Sequence, residues 1–278
     1  MPGDTRQPEI HLGTSSWSSE DWVTAGFYPE GMAPTKYLPH YAQTFETVEV
    51  DSTFYRLPTV GLCQKWRKDV PANFRFALKV TQSITHEMAL EGAEKEFELY
   101  LQAVEELGER LGFIVFQFAY FNKKSACPDL GTFIKRLAIF SKVCPPRHNY
   151  VLEIRNKNWV TKDLLDALRE HRFAYALTDQ QWMPRPTPLW EKFGQDLITR
   201  DFAYIRFLGE RDRIEKITTK WDKLVIDRTQ DMQEWIPILK ELQKKGISMW
   251  AYFNNHYQGY GPGSIAEFRK LWAAAAAS

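Results

Sequence analysis

The chain has 278 residues, with 36 Lys plus Arg against 35 Asp plus Glu and a formal net charge of +1. With 44% hydrophobic and 26% charged residues it has the composition of a folded globular protein, which excludes a disordered chain. The balanced charge excludes a protein that coats nucleic acid or an acidic membrane by bulk electrostatics, and leaves room for a local basic pocket.

Residues 1–9 are polar, carry Pro2, Gly3 and Pro8, and contain no apolar run of the kind a signal peptide needs, so they read as a disordered or extended tail. Eight β-type runs rich in Val, Ile, Phe and Tyr follow, at 10–14, 47–52, 74–80, 113–118, 150–154, 173–178, 202–207 and 247–253. Helical spacing fills the intervals. Over 93–110, Phe97, Tyr100, Leu101, Val104 and Leu107 mark one apolar face. Segments 132–142, 162–171, 231–245 and 264–272 read the same way, with Thr161 placed to cap the helix at 162 and Gly246 at a helix C′ position before the last strand. The stretch 179–201, with Pro184, Pro186 and Pro188, reads as a long loop with little regular structure. Residues 273–278 are a low-complexity tail, the fraying end of a helix.

Strand followed by helix, eight times over, predicts an α/β fold of the (β/α)8 TIM-type barrel class, one domain over 10–272, and such barrels typically run to about 250 residues. A doubly wound open sheet would place a glycine-rich phosphate loop after its first strand. Here Gly13-Thr14-Ser15-Ser16-Trp17 stands there, without GxGxxG. No stretch approaches the roughly 20 apolar residues of a membrane span. Cys63, Cys127 and Cys144 are odd in number and lack CxxC spacing, which argues for no disulfide partner, no cysteine zinc site, and a reducing cytoplasm.

In this fold chemistry gathers at the C-terminal ends of the strands. The first strand is followed by Trp17, the second by Asp51, Ser52 and Tyr55, and the third ends in Lys79 with His86 beyond it. The fourth ends in Gln117, and the fifth offers Glu153, Arg155 and Trp159. Asp179, Arg206, and Asn254, Asn255 and His256 close the last three. Lys79, His86, Arg155, Arg206 and His256 predict a cationic rim suited to a phosphate or carboxylate. Glu153 and Asp179, on neighbouring strands, predict an acid–base pair or the ligands of a divalent metal, with His86 or His256 as the acid. The competing reading is a salt-bridge network fixing the barrel mouth, and Glu153 and Arg155, two apart on one strand, face the same side as an ion pair would. Trp17, Tyr55 and Trp159 are candidates to stack a flat group, whereas Trp22 reads as core packing. No HxH, HExxH or DxD spacing, no GxSxG elbow and no P-loop is present, and Cys63 has no nearby His to make it a nucleophile.

Together these motifs resemble the YecE-like family, catalogued as domain of unknown function seventy-two. The resemblance rests on Gly13-Thr14-Ser15-Ser16-Trp17, Phe27-Tyr28-Pro29 and the run from Val48 to Pro58. It continues through Lys79 with Ile84-Thr85-His86, Phe116-Gln117-Phe118, Glu153-Ile154-Arg155 with Trp159, Tyr204-Ile205-Arg206, and Tyr252-Phe253-Asn254-Asn255-His256, in order from about Gly13 to Leu271. It implies a TIM-type barrel with a polar pocket at its mouth and carries no reaction with it. The chain departs from the family pattern at Asp51, where Asn is more common, at Gly209-Glu210-Arg211, where a His-Gly pair is common, and over residues 259–264.

The leading functional expectation is a hydrolase or phosphoesterase-like enzyme acting on an anionic, phosphorylated or nucleotide-like substrate. Lys79, Arg155 and Arg206 would hold the anion, and Asp51, Ser52, Tyr55, Gln117, Trp17, Trp159, Asn254 and Asn255 would complete the pocket. The alternative is a binding module that grips a small anion or a single nucleic-acid strand without chemistry. A protein-docking scaffold is the third reading.

Overall fold

The computed structural model describes residues 10–275. The expected tail at 1–9 lies outside them, as do residues 276–278. Eight parallel strands form a nearly closed barrel: β1 (Ile10–Thr14), β2 (Thr47–Val50), β3 (Arg75–Lys79), β4 (Leu111–Gln117), β5 (Tyr150–Glu153), β6 (Phe173–Gln180), β7 (Phe202–Gly209) and β8 (Ser248–Phe253). The hydrogen-bonded order runs β1-β8-β7-β6-β5-β4-β3-β2, so β1 and β2 are the two edges that meet. This is the (β/α)8 architecture, and all eight expected strands are present.

Strand alternation divides the apolar side chains into two cores. Outward residues such as Phe76, Leu78, Phe116, Leu152 and Ile205 pack beneath the surrounding helices. Inward residues Ala77, Phe113, Val115, Val151, Ala174, Ala176, Phe202, Tyr204 and Tyr252 fill the barrel with Trp250. Phe113 stands 5.0 Å from both Phe202 and Trp250 (ring centroids), and His11 stacks on Trp250 at 4.0 Å. The barrel is therefore plugged by aromatic rings below and leaves room only at its upper end.

The β1–β2 seam is closed by one side chain and one missing side chain. The Tyr41 hydroxyl accepts from the Thr14 amide (2.9 Å) and donates to the Thr47 carbonyl (3.0 Å), satisfying backbone groups that no strand ladder pairs. A Cβ on Gly13 would lie 2.3 Å from that same carbonyl. Glycine is thus required by close backbone approach. Gly13→Ala should force the seam apart and cost on the order of 1–3 kcal/mol, read as a lower Tm in thermal denaturation; an unchanged Tm would show that the seam tolerates a methyl group.

The helices follow their sequence signals at the caps. Thr161 Oγ1 accepts from Leu164 N (3.3 Å) and Gly246 takes φ +78. One expected helix is interrupted: Glu94–Val104 gives way to a 3-10 segment, Glu105–Arg110, which is itself kinked at Gly108 (φ 56, ψ −132). The stretch 179–201 is not the irregular loop expected. It contains a helix at Pro186–Phe193 and a 3-10 turn at Gly194–Leu197. Pro186 and Pro188 occupy its first turn, where a proline gives up no intrahelical hydrogen bond, so residues that signal a loop there start a helix. The last helix, Gly261–Ala274, runs into the alanine tail. No described helix is long and apolar enough to cross a membrane. The three cysteines are free.

Candidate functional site at the barrel mouth

Moving up the barrel by one inward position, the side chains change from apolar to polar on most strands. Ala77 is followed by Lys79, Val115 by Gln117, Val151 by Glu153, Tyr204 by Arg206 and Tyr252 by Asn254, while β2 presents Glu49 and then Asp51. Parallel pairing sets Gln117 beside Glu153 and Thr178 beside Arg206.

Arg206 is the centre of this layer and only 1% exposed. Its Nη2 lies 2.5 Å from Glu49 Oε1, and its Nη1 donates to Glu153 Oε2 and to Gln117 Oε1 (3.1 Å). The other Glu49 oxygen accepts from the Tyr204 hydroxyl (2.8 Å). The other Glu153 oxygen faces Arg155 Nε at 2.7 Å, and Arg155 Nη1 donates to Gln180 Oε1 (2.5 Å). Lys79 Nζ lies 2.8 Å from Asp51 Oδ1 and donates to Gln117 Oε1 (2.9 Å). Buried charges are tolerable only with such pairing. Burial pushes both glutamates up, but Arg206 with Lys79 at Glu49, and Arg155 with Arg206 and Lys79 at Glu153, outweigh it and hold both carboxyls below their ordinary value.

Asp51 behaves oppositely. Its Oδ1 is enclosed against Lys79, while the side chain as a whole remains about a third exposed at the cavity. Desolvation, with repulsion from Glu49, outweighs the pull of Lys79 and raises its pKa. A carboxyl that is both accessible and shifted toward its protonated form is suited to give up a proton.

Above this layer opens a cavity of about 360 Å3 walled by Asp51, Lys79, Arg155, Gln180, Trp182 and His256, among others. Four of the five residues of the expected rim, Lys79, Arg155, Arg206 and His256, line the cavity, and His86 does not. Lys79, Arg155 and Arg206 do converge, but Glu49, Asp51 and Glu153 balance them three to three. The two glutamates are fully buried, so the charges on the cavity wall are Lys79, Arg155, Arg206 and Arg211 with Asp51 and Asp212.

The expected pairing of Glu153 with Asp179 is not formed. Asp179 lies on the outer face of β6, held by Arg185 Nη1 (2.9 Å), Trp235 Nε1 (3.0 Å) and the Tyr257 hydroxyl (3.1 Å). Both Glu153 oxygens are occupied by guanidinium groups, so neither carboxylate is an open metal ligand. Among the described residues no group of three or more His, Cys, Asp or Glu has metal-holding geometry.

The remaining candidates separate in the same way. Gln117, Tyr55, Asn254 and His256 line the cavity. His256 places Nδ1 2.6 Å from Asn254 Oδ1 and Nε2 3.1 Å from Glu215 Oε1. His86 stands off the cavity wall, edge-on to Phe54 at 4.9 Å with Nδ1 2.9 Å from Thr85 Oγ1, and burial with the nearby Arg155 charge lowers its pKa. Trp17 packs edge-on against Trp66 (5.5 Å) outside the strands, and Trp159 stacks on Phe121 (5.9 Å), so both belong to the outer core. Trp22 is buried, as expected. Ser52 faces a separate outer groove, and Asn255 Oδ1 serves the Trp22 indole and the Gly261 amide. Glu49, Tyr204 and Gln180 were not anticipated.

A family model described as protein of unknown function DUF72 matches residues 11–278. Among named relatives, the chain is 28% identical over 153 residues to YecE of Escherichia coli K12, covering 55% of this chain and about half, 51%, of that protein. It is 22% identical over 267 residues to YunF of Bacillus subtilis, covering 90% of each. Two crystal structures of DUF72 proteins share the fold. TM1631 of Thermotoga maritima has a TM-score of 0.73 and 24% identity, with 94% of this chain and 98% of that one covered. EF0366 of Enterococcus faecalis has a TM-score of 0.70 and 22% identity, with 95% and 97% covered.

Proposed function

As this chain belongs to the DUF72 family, described only as of unknown function, we propose its role from its own barrel mouth: an enzyme that hydrolyses a small anionic ester. The observation that carries this is the Asp51–Lys79 pair on the cavity wall, 2.8 Å apart, with the Asp51 carboxyl pushed toward its acid form. The substrate anion lies against Arg155, whose side chain is 29% exposed at the cavity and whose guanidinium is oriented by Glu153 and Gln180. Water supplies the oxygen that forms the new bond. As the ester bond breaks, Asp51 gives its proton to the departing alcohol oxygen, and the proton released by the attacking water restores Asp51. Lys79 holds the carboxylate in the interval. Glu153 and Glu49 serve as fixed counter-ions, their lowered pKa values making them poor proton donors.

The anion site is tested with inorganic phosphate. It should raise the Tm of the wild type, as any ligand of the folded state does. Arg155→Lys keeps the charge, loses the planar fork, and should lose most of that shift. An equal shift in both proteins would place the anion elsewhere.

A second reading is supported by Tyr55 and Trp182, 71% and 64% exposed at the cavity. Such rings can stack the bases of a single nucleic-acid strand. Strand binding would weaken steeply with salt, whereas a single-anion site would change little.

A further inference from the structure

Beside the mouth lies a second chamber of about 150 Å3. Asp51, Asn254 and His256 are walls of both spaces. The rest of the lining differs in kind. Lys79, Arg155, Arg206 and Arg211 line the main cavity, and among the described residues no Lys or Arg lines the second. Its walls include Trp22, Trp221 and Ser15.

Ser15 is 4% exposed and well fixed, its amide donating to the Phe253 carbonyl (3.1 Å) at the top of β1. Its Oγ is buried and has no hydrogen-bond partner among the described residues. Buried hydroxyls are ordinarily paired, and this one can both donate and accept. Trp221 is held in place through its amide, which donates to Asp21 Oδ2 (2.9 Å), and its ring packs 4.6 Å from His256.

We propose that this chamber holds the uncharged, hydroxyl-bearing half of a two-part substrate, a polyol or sugar-like alcohol, while the anionic half rests on Arg155. This rests on the ester-hydrolase reading above and specifies its substrate class. Without a Lys or Arg on its wall, the second chamber offers an anion no counter-charge. The Trp221 indole covers the C–H surface of a polyol, and Ser15 finds in a ligand hydroxyl the partner it lacks. Asp51, common to both spaces, is then beside the oxygen that joins the halves, where a proton donor to the leaving alcohol must be.

Isothermal titration with three probes tests this. Inorganic phosphate reports the anion site, and propyl phosphate adds a three-carbon chain. Glycerol 3-phosphate adds the same chain with two hydroxyls. The wild type should bind glycerol 3-phosphate at least about tenfold more tightly than propyl phosphate, because a site built for a hydroxyl rejects the analogue that lacks it. In Ser15→Ala, which removes an unpaired hydroxyl and so should fold normally, the two organic phosphates should converge, with inorganic phosphate unchanged. Trp221→Ala should weaken both organic phosphates and spare inorganic phosphate. Equal wild-type affinity for the two organic phosphates, or a Ser15→Ala effect on all three probes alike, would overturn the two-chamber assignment alone. Failure of inorganic phosphate to bind would overturn the anion site first, and this assignment with it.

Discussion

Replacing Arg206 with methionine should destabilise the barrel by about 3–5 kcal/mol, the cost of stranding buried charges whose partner is removed. Arg206 bridges Glu49 and Glu153, and both carboxylates are fully buried. Without the guanidinium, Glu49 keeps only Tyr204 and the more distant Lys79, 4.0 Å away, and Glu153 keeps only Arg155. The loss should appear as a lower urea midpoint at unchanged slope. Adding Glu49→Gln and Glu153→Gln to the methionine variant should restore much of it, because the neutral amides no longer strand a charge. The pH dependence has a definite sign. Both glutamates are held below their ordinary value of 4.5, so the stability they contribute is complete above that value and is lost as pH falls through their lowered folded values. An Arg206→Met protein as stable as wild type would mean that the layer is hydrated rather than a buried ion network.

Asp51→Asn should reduce turnover by about 10²–10⁴-fold, the usual worth of a positioned general acid. The same substitution should spare the fold. The raised pKa of Asp51 means that its charged form is disfavoured in the folded protein relative to water, so an uncharged isostere removes that penalty as it removes the Lys79 pair. The acid form is the active one. The wild-type rate should therefore decline as pH rises through the raised Asp51 value, above the ordinary 3.8, and the residual rate of Asp51→Asn should lack that decline. Unaltered turnover in Asp51→Asn would remove the acid from this position. Loss of turnover together with a collapsed Tm would make Asp51 a structural partner of Lys79.

The strands and their order of appearance were legible because eight apolar runs alternate with helical spacing, and that pattern does not depend on distant contacts. The helix at Pro186–Phe193 was hidden because proline signals a turn and a first helical turn equally well. The site was legible in membership more than in pairing. Lys79, Gln117, Glu153, Arg155 and Arg206 converge as their strand-end positions suggest. Asp179 does not, because one step along a strand reverses a side chain, and at β6 that step sends the carboxylate toward Trp235. Glu49 escaped notice although it lies two residues before Asp51, the same-face spacing that links Glu153 to Arg155. A charged residue between the two valines of a short apolar run was the available signal. The outward placement of Trp17 and Trp159 depends on packing against Trp66 and Phe121, contacts between elements that periodicity does not specify.

The most direct measurement is phosphate release from a panel of sugar and polyol phosphate monoesters, by wild type and Asp51→Asn of equal Tm, with and without added magnesium and manganese. The wild type should hydrolyse at least one ester, and Asp51→Asn should fall by about 100-fold or more on it. Esters that bind at the mouth but release no phosphate, or release it equally in both proteins, would contradict an ester hydrolase with Asp51 as its acid.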